Sequence, residues 1–386
     1  MPSATPPDLL LVATRPYTTP VARIPINDLS RTSSEQSAKI TEAVSGIIAR
    51  GSFLKGAYTT ELEQRLSAGF ENRPVLGVAN GTDALYLALC AAGVAAGSGV
   101  VTVANAGGYT TGATLRLGGR PLLVDVDRAN AQMSADSLVD VLASHSDVAV
   151  VVLTHLYGLV GDVERIQSIC SDAGVTLIED CAQSIGAIVG GRPAGTFGQL
   201  ATLSFYPTKN LGAFGDGGAV VCATRELHDQ VQSLAQYGWV ERYEVTHPFG
   251  INSRIDEIQA AVLLELEPLL ASNNQRRREI VAEYGGAISG ERYFIADESP
   301  RFVGHLAVMV TPTREADAAQ LGAAGIGTGV HYPIPDHLQL AWRDSVSMAA
   351  ALPVTEWLAG AVLTVPCFPG MTDEEVASVA TVLASL

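Results

Sequence analysis

Short runs of apolar residues recur along the chain and are separated by stretches of helical character, such as 82–92 and 162–173. The runs are rich in β-branched residues and are continuous rather than alternating, which is typical of strands buried on both faces. They predict an α/β fold with a mainly parallel seven-stranded sheet covered by helices. The seven runs are 75–78, 100–104, 122–126, 148–153, 175–178, 201–205 and 219–222.

The helical segments predict how the chain is divided. Ser33 and Gln36 have the spacing of a capping box before the apolar series Ile40, Val44, Ile47 and Ile48, so we expect an amphipathic first helix there. A long helical stretch, 255–284, then leads towards candidate strands near 306–310 and 328–330. We therefore predict a large domain over 25–260 and a smaller C-terminal α/β domain over 261–386. Residues 1–24 contain five prolines and are expected to form a flexible tail.

Composition narrows the range of functions. The chain has 24 basic and 40 acidic residues, a formal net charge of −16. This balance argues against nucleic acid as a partner, because nucleic-acid affinity depends on neutralising phosphates with lysine and arginine. An anionic small molecule would need a locally basic site or backbone N–H donors.

The five cysteines are scattered, and none form a CxxC pair. Neither a zinc site nor a redox motif is indicated, and reduced thiols in the cytoplasm are the natural interpretation. The apolar run 9–13 is too short for a signal sequence, and no run reaches the length of a membrane span. We therefore expect a cytoplasmic protein without membrane association.

Lys209 and Asp180 carry the clearest chemical signal. Asp180 ends one apolar strand, and Lys209 follows another strand 29 residues later, just before a glycine-rich stretch. A lysine that forms a Schiff base needs an electron sink, and pyridoxal phosphate (PLP) acts as one while its ring nitrogen is protonated. An aspartate beside that nitrogen keeps the proton in place. The pair therefore indicates a PLP site.

At these residues the chain resembles a known family. The segments 179–187, Glu-Asp-Cys-Ala-Gln-Ser-Ile-Gly-Ala, and 204–212, Ser-Phe-Tyr-Pro-Thr-Lys-Asn-Leu-Gly, are similar to two signatures of the DegT/DnrJ/EryC1/StrS sugar aminotransferases. The resemblance runs from about Pro25 to the C-terminus. It implies a fold type I PLP-dependent transferase, similar to aspartate aminotransferase, with Lys209 and Asp180 as catalytic residues.

The resemblance also implies residues that hold the cofactor. Gly81 and Thr82 lie at a strand-to-helix turn, where unpaired N–H groups favour a phosphate, although an ordinary Asn-Gly turn would look the same. Ser204 resembles the phosphate-binding serine of the family. Gln183 is expected beside the cofactor ring. His155 is a further catalytic candidate, with a satisfied buried histidine as the alternative.

The chain departs from the family where an aromatic residue usually stacks on the cofactor ring. Gly107 occupies that position, and Tyr109 is the only aromatic residue of the loop. We expect Tyr109 to pack on or beside the ring, unless it faces the sugar pocket. Asn252 resembles a residue that reaches the phosphate in a second subunit, which implies a homodimer with shared active sites, although an Asn-Ser turn capping a helix is compatible with the same sequence.

The resemblance implies the reaction. We expect amination of a nucleotide-linked keto-deoxyhexose, with dTDP as the nucleotide, at C3 or C4 in amino sugar biosynthesis. Glutamate is the expected amino donor, and the stretch 252–259 favours C3. His331 and Tyr332 match a segment that lines the substrate entrance. The alternatives are a PLP-dependent sugar dehydratase, in which a histidine would replace Lys209, and a non-catalytic regulatory protein of the same fold. An NAD enzyme is excluded because no GxGxxG motif follows an early strand.

Overall fold

A computed structural model describes residues 23–31, 33–348 and 350–386. The predicted tail lies outside these ranges except for its last two residues. Of those two, Ile24 is buried and forms a parallel bridge with Ile326, so it belongs to the packed part of the chain. Within the described ranges, no helix is both long enough and apolar enough to span a bilayer.

The strands form one large sheet and three small ones. The strands are β1 (Val75–Val78), β2 (Gly99–Val103), β3 (Arg120–Val124), β4 (Val148–Thr154), β5 (Thr176–Asp180), β6 (Ile188–Val189), β7 (Arg192–Pro193), β8 (Leu200–Ser204), β9 (Gly218–Cys222), β10 (Trp239–Glu241), β11 (Glu244–Val245), β12 (Tyr293–Phe294), β13 (Ala307–Val310), β14 (Ser347–Met348) and β15 (Val362–Val365). The large sheet has the order β1-β9-β8-β5-β4-β2-β3-β14. β9 runs antiparallel to both of its neighbours, and the other pairs are parallel.

All seven apolar runs form strands of the large sheet, as predicted, and most pairs are parallel. The predicted number of strands was wrong by one. β14 adds an eighth strand, in which Ser347 and Met348 pair with Leu122 and Leu123 of β3. A two-residue strand that includes a serine leaves no apolar run in the sequence, so the pattern could not reveal it.

Helices cover both faces of the sheet. The helices are α1 (Ser34–Arg50), α2 (Ala57–Gly69), α3 (Gly81–Ala91), α4 (Tyr109–Arg116), α5 (Ala135–Ser144), α6 (Val163–Ala173), α7 (Arg225–Leu234), α8 (Glu257–Leu266), α9 (Leu270–Ala287), α10 (Arg314–Ala323), α11 (Pro353–Ala361) and α12 (Asp373–Leu383). Successive residues of β4 enter different cores. Val150 belongs to the core that contains Leu89 of α3, and Val151 to the core that contains Ile166 of α6. This two-sided burial explains why the strands read as continuous apolar runs.

The first helix begins as predicted. The Ser33 hydroxyl accepts a hydrogen bond from the Gln36 backbone N–H at 3.2 Å, and the Gln36 side chain accepts one from the Ser33 N–H. Ile40 and Ile47 are buried, whereas Ile48 is exposed. The apolar face is therefore narrower than the sequence suggested.

The predicted long helix is broken. Pro268 lies in a single 3₁₀ turn, 267–269, that separates α8 from α9. Proline removes a backbone donor and clashes with the preceding turn, so the helix cannot continue unchanged through this position. The predicted domain boundary after residue 260 falls inside α8, which packs on α1 and α2.

The C-terminal part contains a three-stranded antiparallel sheet with the order β12-β13-β15. β13 confirms the strand expected near 306–310. The strand expected at 328–330 was wrong, because only an isolated bridge between Gly329 and Thr364 forms there.

Candidate active site

Three neighbouring strands of the large sheet end in polar residues at the same edge. β4 ends at Thr154, β5 at Asp180 and β8 at Ser204. All three residues line a cavity of about 510 Å³. The carboxyl ends of parallel strands are the usual ligand-binding edge of α/β folds, and this volume suits a small organic ligand.

Lys209 reaches the cavity from the turn that follows β8, where its backbone N–H donates to the Tyr206 carbonyl at 2.8 Å. Asp180 is 5% exposed. Each of the two charges affects the pKa of the other group, yet no ion pair within 4.0 Å joins them. The two groups therefore face the same space with room between them.

Burial shifts the pKa of both groups towards their neutral forms. It lowers the pKa of Lys209 to about 8, and the Asp180 carboxylate opposes this shift only in part. It also raises the pKa of Asp180, against the Ala182 N–H at 3.1 Å, the charge of Lys209 and the Thr154 hydroxyl at 3.4 Å. A ligand with a positive charge beside Asp180 would relieve the cost of burying this carboxylate.

The N-terminus of α3 lines another wall. Asn80 caps the helix, and its side chain accepts a hydrogen bond from the Asp83 N–H at 2.8 Å. The N–H groups of Gly81 and Thr82 make no hydrogen bond within the part of the chain that the structure describes. Free N–H groups at the positive end of a helix dipole suit an anion such as a phosphate.

The structure adds a packing reason for glycine at position 81. A Cβ atom there would lie 2.7 Å from the Ser204 Cβ, so a side chain would push β8 away from α3. The absence of a side chain therefore brings the Ser204 hydroxyl next to the helix N-terminus. The three predicted phosphate ligands, Gly81, Thr82 and Ser204, line one cavity.

Gln183 and Tyr332 also line the cavity. The Gln183 side-chain oxygen Oε1 accepts a hydrogen bond from the Tyr157 N–H at 2.6 Å, and the side-chain nitrogen Nε2 is 3.5 Å from the Tyr332 hydroxyl. The Tyr157 hydroxyl donates to the His331 carbonyl. This network connects the end of β5 to the 331–332 segment. Both His331 and Tyr332 line the cavity, and their role at the substrate entrance remains a prediction.

An aromatic side chain at position 107 is sterically excluded. Gly107 has a φ of +81°, and a Cβ atom there would lie 2.9 Å from Tyr332 Cζ and 3.0 Å from Tyr109 Cε2. The rings of Tyr109 and Tyr332 pack edge to face with centroids 6.4 Å apart. Tyr109 is 50% exposed and lines the cavity. Two tyrosines thus occupy the space that a side chain at position 107 would need.

His155 does not line the cavity. Its side chain is 0% exposed, and its Nε2 lies 3.0 Å from Glu179 Oε2. The Glu179 carboxylate also accepts hydrogen bonds from the N–H groups of Gly195, Phe197 and Gly198 at 2.7–2.8 Å. His155 is therefore placed behind Asp180, where it can act on a ligand only through other residues.

Asn252 also lies away from the cavity. It forms an isolated antiparallel bridge with Gln236, and its side-chain oxygen accepts a hydrogen bond from Arg254. It is exposed on the surface of the chain. Its predicted contact with a second subunit remains a prediction.

Several polar residues of the site were not predicted from the sequence. Thr202 pairs with Asp180 across the sheet and lies 3.4 Å from its carboxylate. His305 is buried, lines the cavity and contacts Asn210, the neighbour of Lys209. The strand-end rule could have identified Thr154, but a histidine before a strand carries no comparable signal.

The arrangement fits the predicted cofactor. It offers a lysine with a lowered pKa, a buried carboxylate, and neutral hydrogen-bond donors at Gly81, Thr82 and Ser204. A pyridine ring with a phosphate arm has complementary groups, because its ring nitrogen binds a proton, its aldehyde reacts with an amine and its phosphate accepts hydrogen bonds.

Comparison with known proteins agrees with this geometry. The sequence model of the DegT/DnrJ/EryC1/StrS aminotransferase family matches residues 34–384 of this chain. The chain is 34% identical to a UDP-N-acetyl-3-dehydro-α-D-glucosamine 3-aminotransferase of Acidithiobacillus ferrooxidans, over 93% of this chain and 97% of the relative. It is also 34% identical to the dTDP-3-amino-3,4,6-trideoxy-α-D-glucose transaminase of Micromonospora megalomicea, over 87% and 91% of the two chains.

A solved structure extends the comparison to the cofactor. The chain resembles the crystal structure of NtdA from Bacillus subtilis with the cofactor PMP bound, with a TM-score of 0.86 and 27% identity. The similarity covers 95% of this chain and 85% of NtdA. PMP is the amino form of PLP, so the comparison supports the cofactor that Lys209 and Asp180 indicated.

Proposed function

This chain belongs to the DegT/DnrJ/EryC1/StrS aminotransferase family, a family of PLP-dependent sugar aminotransferases, and we propose that it aminates the C3 ketone of a nucleotide-linked deoxysugar. Glutamate is the proposed amino donor. The observation that carries the proposal is the pair of Lys209 and Asp180 in one cavity with the N-terminus of α3. This pair favours transamination over the dehydratase and regulatory alternatives, neither of which calls for a lysine here.

The relatives favour a position for the ketone, but they differ in the nucleotide. One of the two relatives is named as a 3-aminotransferase of a 3-dehydro sugar and the other for a 3-amino sugar, but the first sugar carries UDP and the second dTDP. We propose C3 and dTDP, with the UDP sugar as the competing substrate. The expected product is an amino sugar nucleotide.

Each residue has a proposed task. Gly81, Thr82 and Ser204 would hold the phosphate through neutral donors, and Asp180 would hold the proton of the ring nitrogen. When bound, PLP supplies an electron sink for the carbon that exchanges its amino group. Lys209 would carry the cofactor and, after the substrate amine displaces it, move a proton to and from the reacting carbon. Its pKa of about 8 suits this task, because a proton carrier works best with a pKa near the working pH.

The proposal is tested with the purified protein, glutamate and a panel of 3-keto and 4-keto sugars linked to dTDP or UDP. We expect the 3-keto dTDP sugar to be aminated with the highest kcat/KM. A protein that aminates the 4-keto sugar faster would overturn the C3 assignment. A protein that retains PLP but aminates none of the sugars would overturn the proposed function.

A homodimer with shared sites is proposed separately, from Asn252. A Lys209→Ala chain and an Asn252→Ala chain should each be inactive alone and should regain partial activity when mixed, because one site of the heterodimer has both natural residues. A chain that sediments as a monomer and remains active would contradict the dimer. Full activity of Asn252→Ala would remove Asn252 from the site.

A further inference from the structure

His305 is a buried histidine that joins the cavity to a chain of side-chain amides. It lies two residues before β13, is 5% exposed and lines the cavity with Lys209. Its Nδ1 lies 2.9 Å from the Asn210 side-chain oxygen. The proposed reaction has so far given this residue no task.

The amide chain determines which ring nitrogen carries the hydrogen. The Asn210 amide nitrogen donates to Asn274 Oδ1 at 2.7 Å and to the Val303 carbonyl at 3.1 Å, so both of its hydrogens are used. Asn274 is held in turn, because its own amide nitrogen donates to the Ile185 carbonyl at 3.0 Å. The Asn210 oxygen must therefore accept, and His305 Nδ1 must donate.

The ring is also held neutral. Burial lowers the pKa of His305 well below its ordinary value, and the positive charges of Lys209 and Arg277 add to this effect. His331, the other imidazole near Lys209, has its pKa lowered by burial and by the same lysine. With Nδ1 protonated and the ring neutral, Nε2 has a lone pair, and within the described residues it has no hydrogen-bond partner.

We propose that His305 Nε2 accepts a hydrogen bond from a sugar hydroxyl on the carbon next to the ketone, and so selects substrates that carry this hydroxyl. The inference rests on the proposed function, because Lys209 marks where the reacting carbon lies and His305 borders the same space. An acceptor is needed rather than a base, because an imidazole with so low a pKa holds a proton poorly near neutral pH. A sugar hydroxyl is the matching donor.

A buried hydrogen-bond acceptor should discriminate strongly between sugars that carry the hydroxyl and sugars that lack it. A buried acceptor that loses its donor is left unsatisfied, and sites built around a substrate hydroxyl reject analogues that lack it. For one hydrogen bond we expect about 10- to 100-fold in kcat/KM between the hydroxyl sugar and its deoxy counterpart.

The kinetic test compares the wild type with His305→Phe on such a substrate pair. Phenylalanine keeps the ring volume but has no acceptor. The variant should lose most of the discrimination, because its kcat/KM for the hydroxyl sugar should fall while its kcat/KM for the deoxy sugar should change little. His228→Phe is the matched control, because His228 is also a buried histidine but lies on α7 and does not line the cavity. If the kcat/KM of His305→Phe fell equally for both sugars, or fell for neither, the proposal would be overturned.

A spectroscopic test does not depend on turnover or on the folding of a variant. Nitrogen-15 NMR of the histidine-labelled holoenzyme should show one imidazole that remains neutral and protonated at Nδ1 from about pH 6 to 9, and its Nε2 signal should shift when the hydroxyl sugar binds. A protonated Nε2, or a signal that is insensitive to the sugar, would refute the assignment. If the wild type aminates no sugar, the proposed function fails, while the resting tautomer of His305 is still measured.

Discussion

The buried charge of Lys209 should make the cofactor-free protein less stable at neutral pH than a variant that lacks the charge. Burial lowers the pKa of Lys209 from 10.5 to about 8. This difference corresponds to about 3 kcal/mol in favour of the neutral amine in the folded state. At pH 7 the lysine is charged in both the folded and the unfolded protein, so the folded protein bears the whole cost.

The sign of the pH dependence follows from proton binding. Between about pH 8 and 10.5 the unfolded lysine keeps its proton and the folded lysine has lost it, so the free energy of unfolding rises with pH. Above 10.5 both forms are neutral and the cost is absent. Lys209→Met keeps the apolar stem without the charge, so it should raise the free energy of unfolding by up to about 3 kcal/mol at pH 7, with no gain left above pH 10.5.

The attraction between Asp180 and Lys209 is already contained in the pKa of about 8, so the figure of about 3 kcal/mol is the cost that remains after it. The Lys209 ammonium offsets part of the cost of burying the Asp180 carboxylate, and methionine removes that benefit. In an Asp180→Asn background there is no buried carboxylate for the ammonium to stabilise, and the lysine has no opposite charge beside it. Lys209→Met should therefore stabilise the Asp180→Asn protein more than it stabilises the wild type.

The measurement is urea unfolding of the cofactor-free proteins, followed by circular dichroism from pH 7 to pH 10.5. Lys39→Met is the control, because Lys39 is exposed on α1 and within the described residues forms an ion pair with Glu35 alone, so its loss should change the free energy of unfolding little. A Lys209→Met protein that is no more stable than its parent at pH 7, in both backgrounds, would refute the reasoning.

Three further predictions concern the cavity wall. Asp180→Asn should still bind the cofactor but lose at least about 100-fold in turnover, because the ring nitrogen loses its anionic partner; near-normal turnover would make Asp180 a packing residue. Gly107→Ala should lower the free energy of unfolding by about 1–2 kcal/mol, because its φ is +81° and its Cβ would lie 2.9 Å from Tyr332 Cζ. Gly285→Ala, on α9 with open space around it, should instead stabilise by about 0.5–1 kcal/mol, and similar urea midpoints for the two variants would contradict the steric argument. Tyr109→Leu should weaken cofactor retention by up to about tenfold, measured by equilibrium dialysis; unchanged retention with an altered sugar preference would assign Tyr109 to the sugar.

Strands that are buried on both faces have continuous apolar sequences, so the sheet could be predicted from the sequence. The same logic placed Asp180 at a strand end and Lys209 after a neighbouring strand. The two-residue strand β14 could not be predicted, because its pairing depends on where the distant C-terminal segment returns to the sheet. The break between α8 and α9 was predictable from Pro268, whose effect on a helix is local.

The residues that were missed depend on contacts between distant segments. Asn274 fixes the orientation of the Asn210 amide, and Asn210 fixes the tautomer of His305. Three distant segments must therefore meet before the tautomer of this histidine is determined. His155 shows the opposite case. Its position at a strand end suggested a catalytic role, but its side chain turns to Glu179 behind the cavity wall. Position along the chain predicts the edge of the sheet that a residue reaches, not the direction in which its side chain points.

The opposed charges of the site also explain why it should bind its cofactor firmly. Burial disfavours the charged forms of both Asp180 and Lys209, and the gap between them leaves neither fully compensated. A ligand that brings a protonated nitrogen to Asp180 and consumes the amine of Lys209 removes both penalties at once. Because the proposed phosphate ligands Gly81, Thr82 and Ser204 are neutral, they would bind the anion without placing a second cation beside Lys209, which would lower its pKa further. An acidic protein can therefore hold an anionic cofactor with one lysine, provided that the sheet keeps that lysine and Asp180 apart.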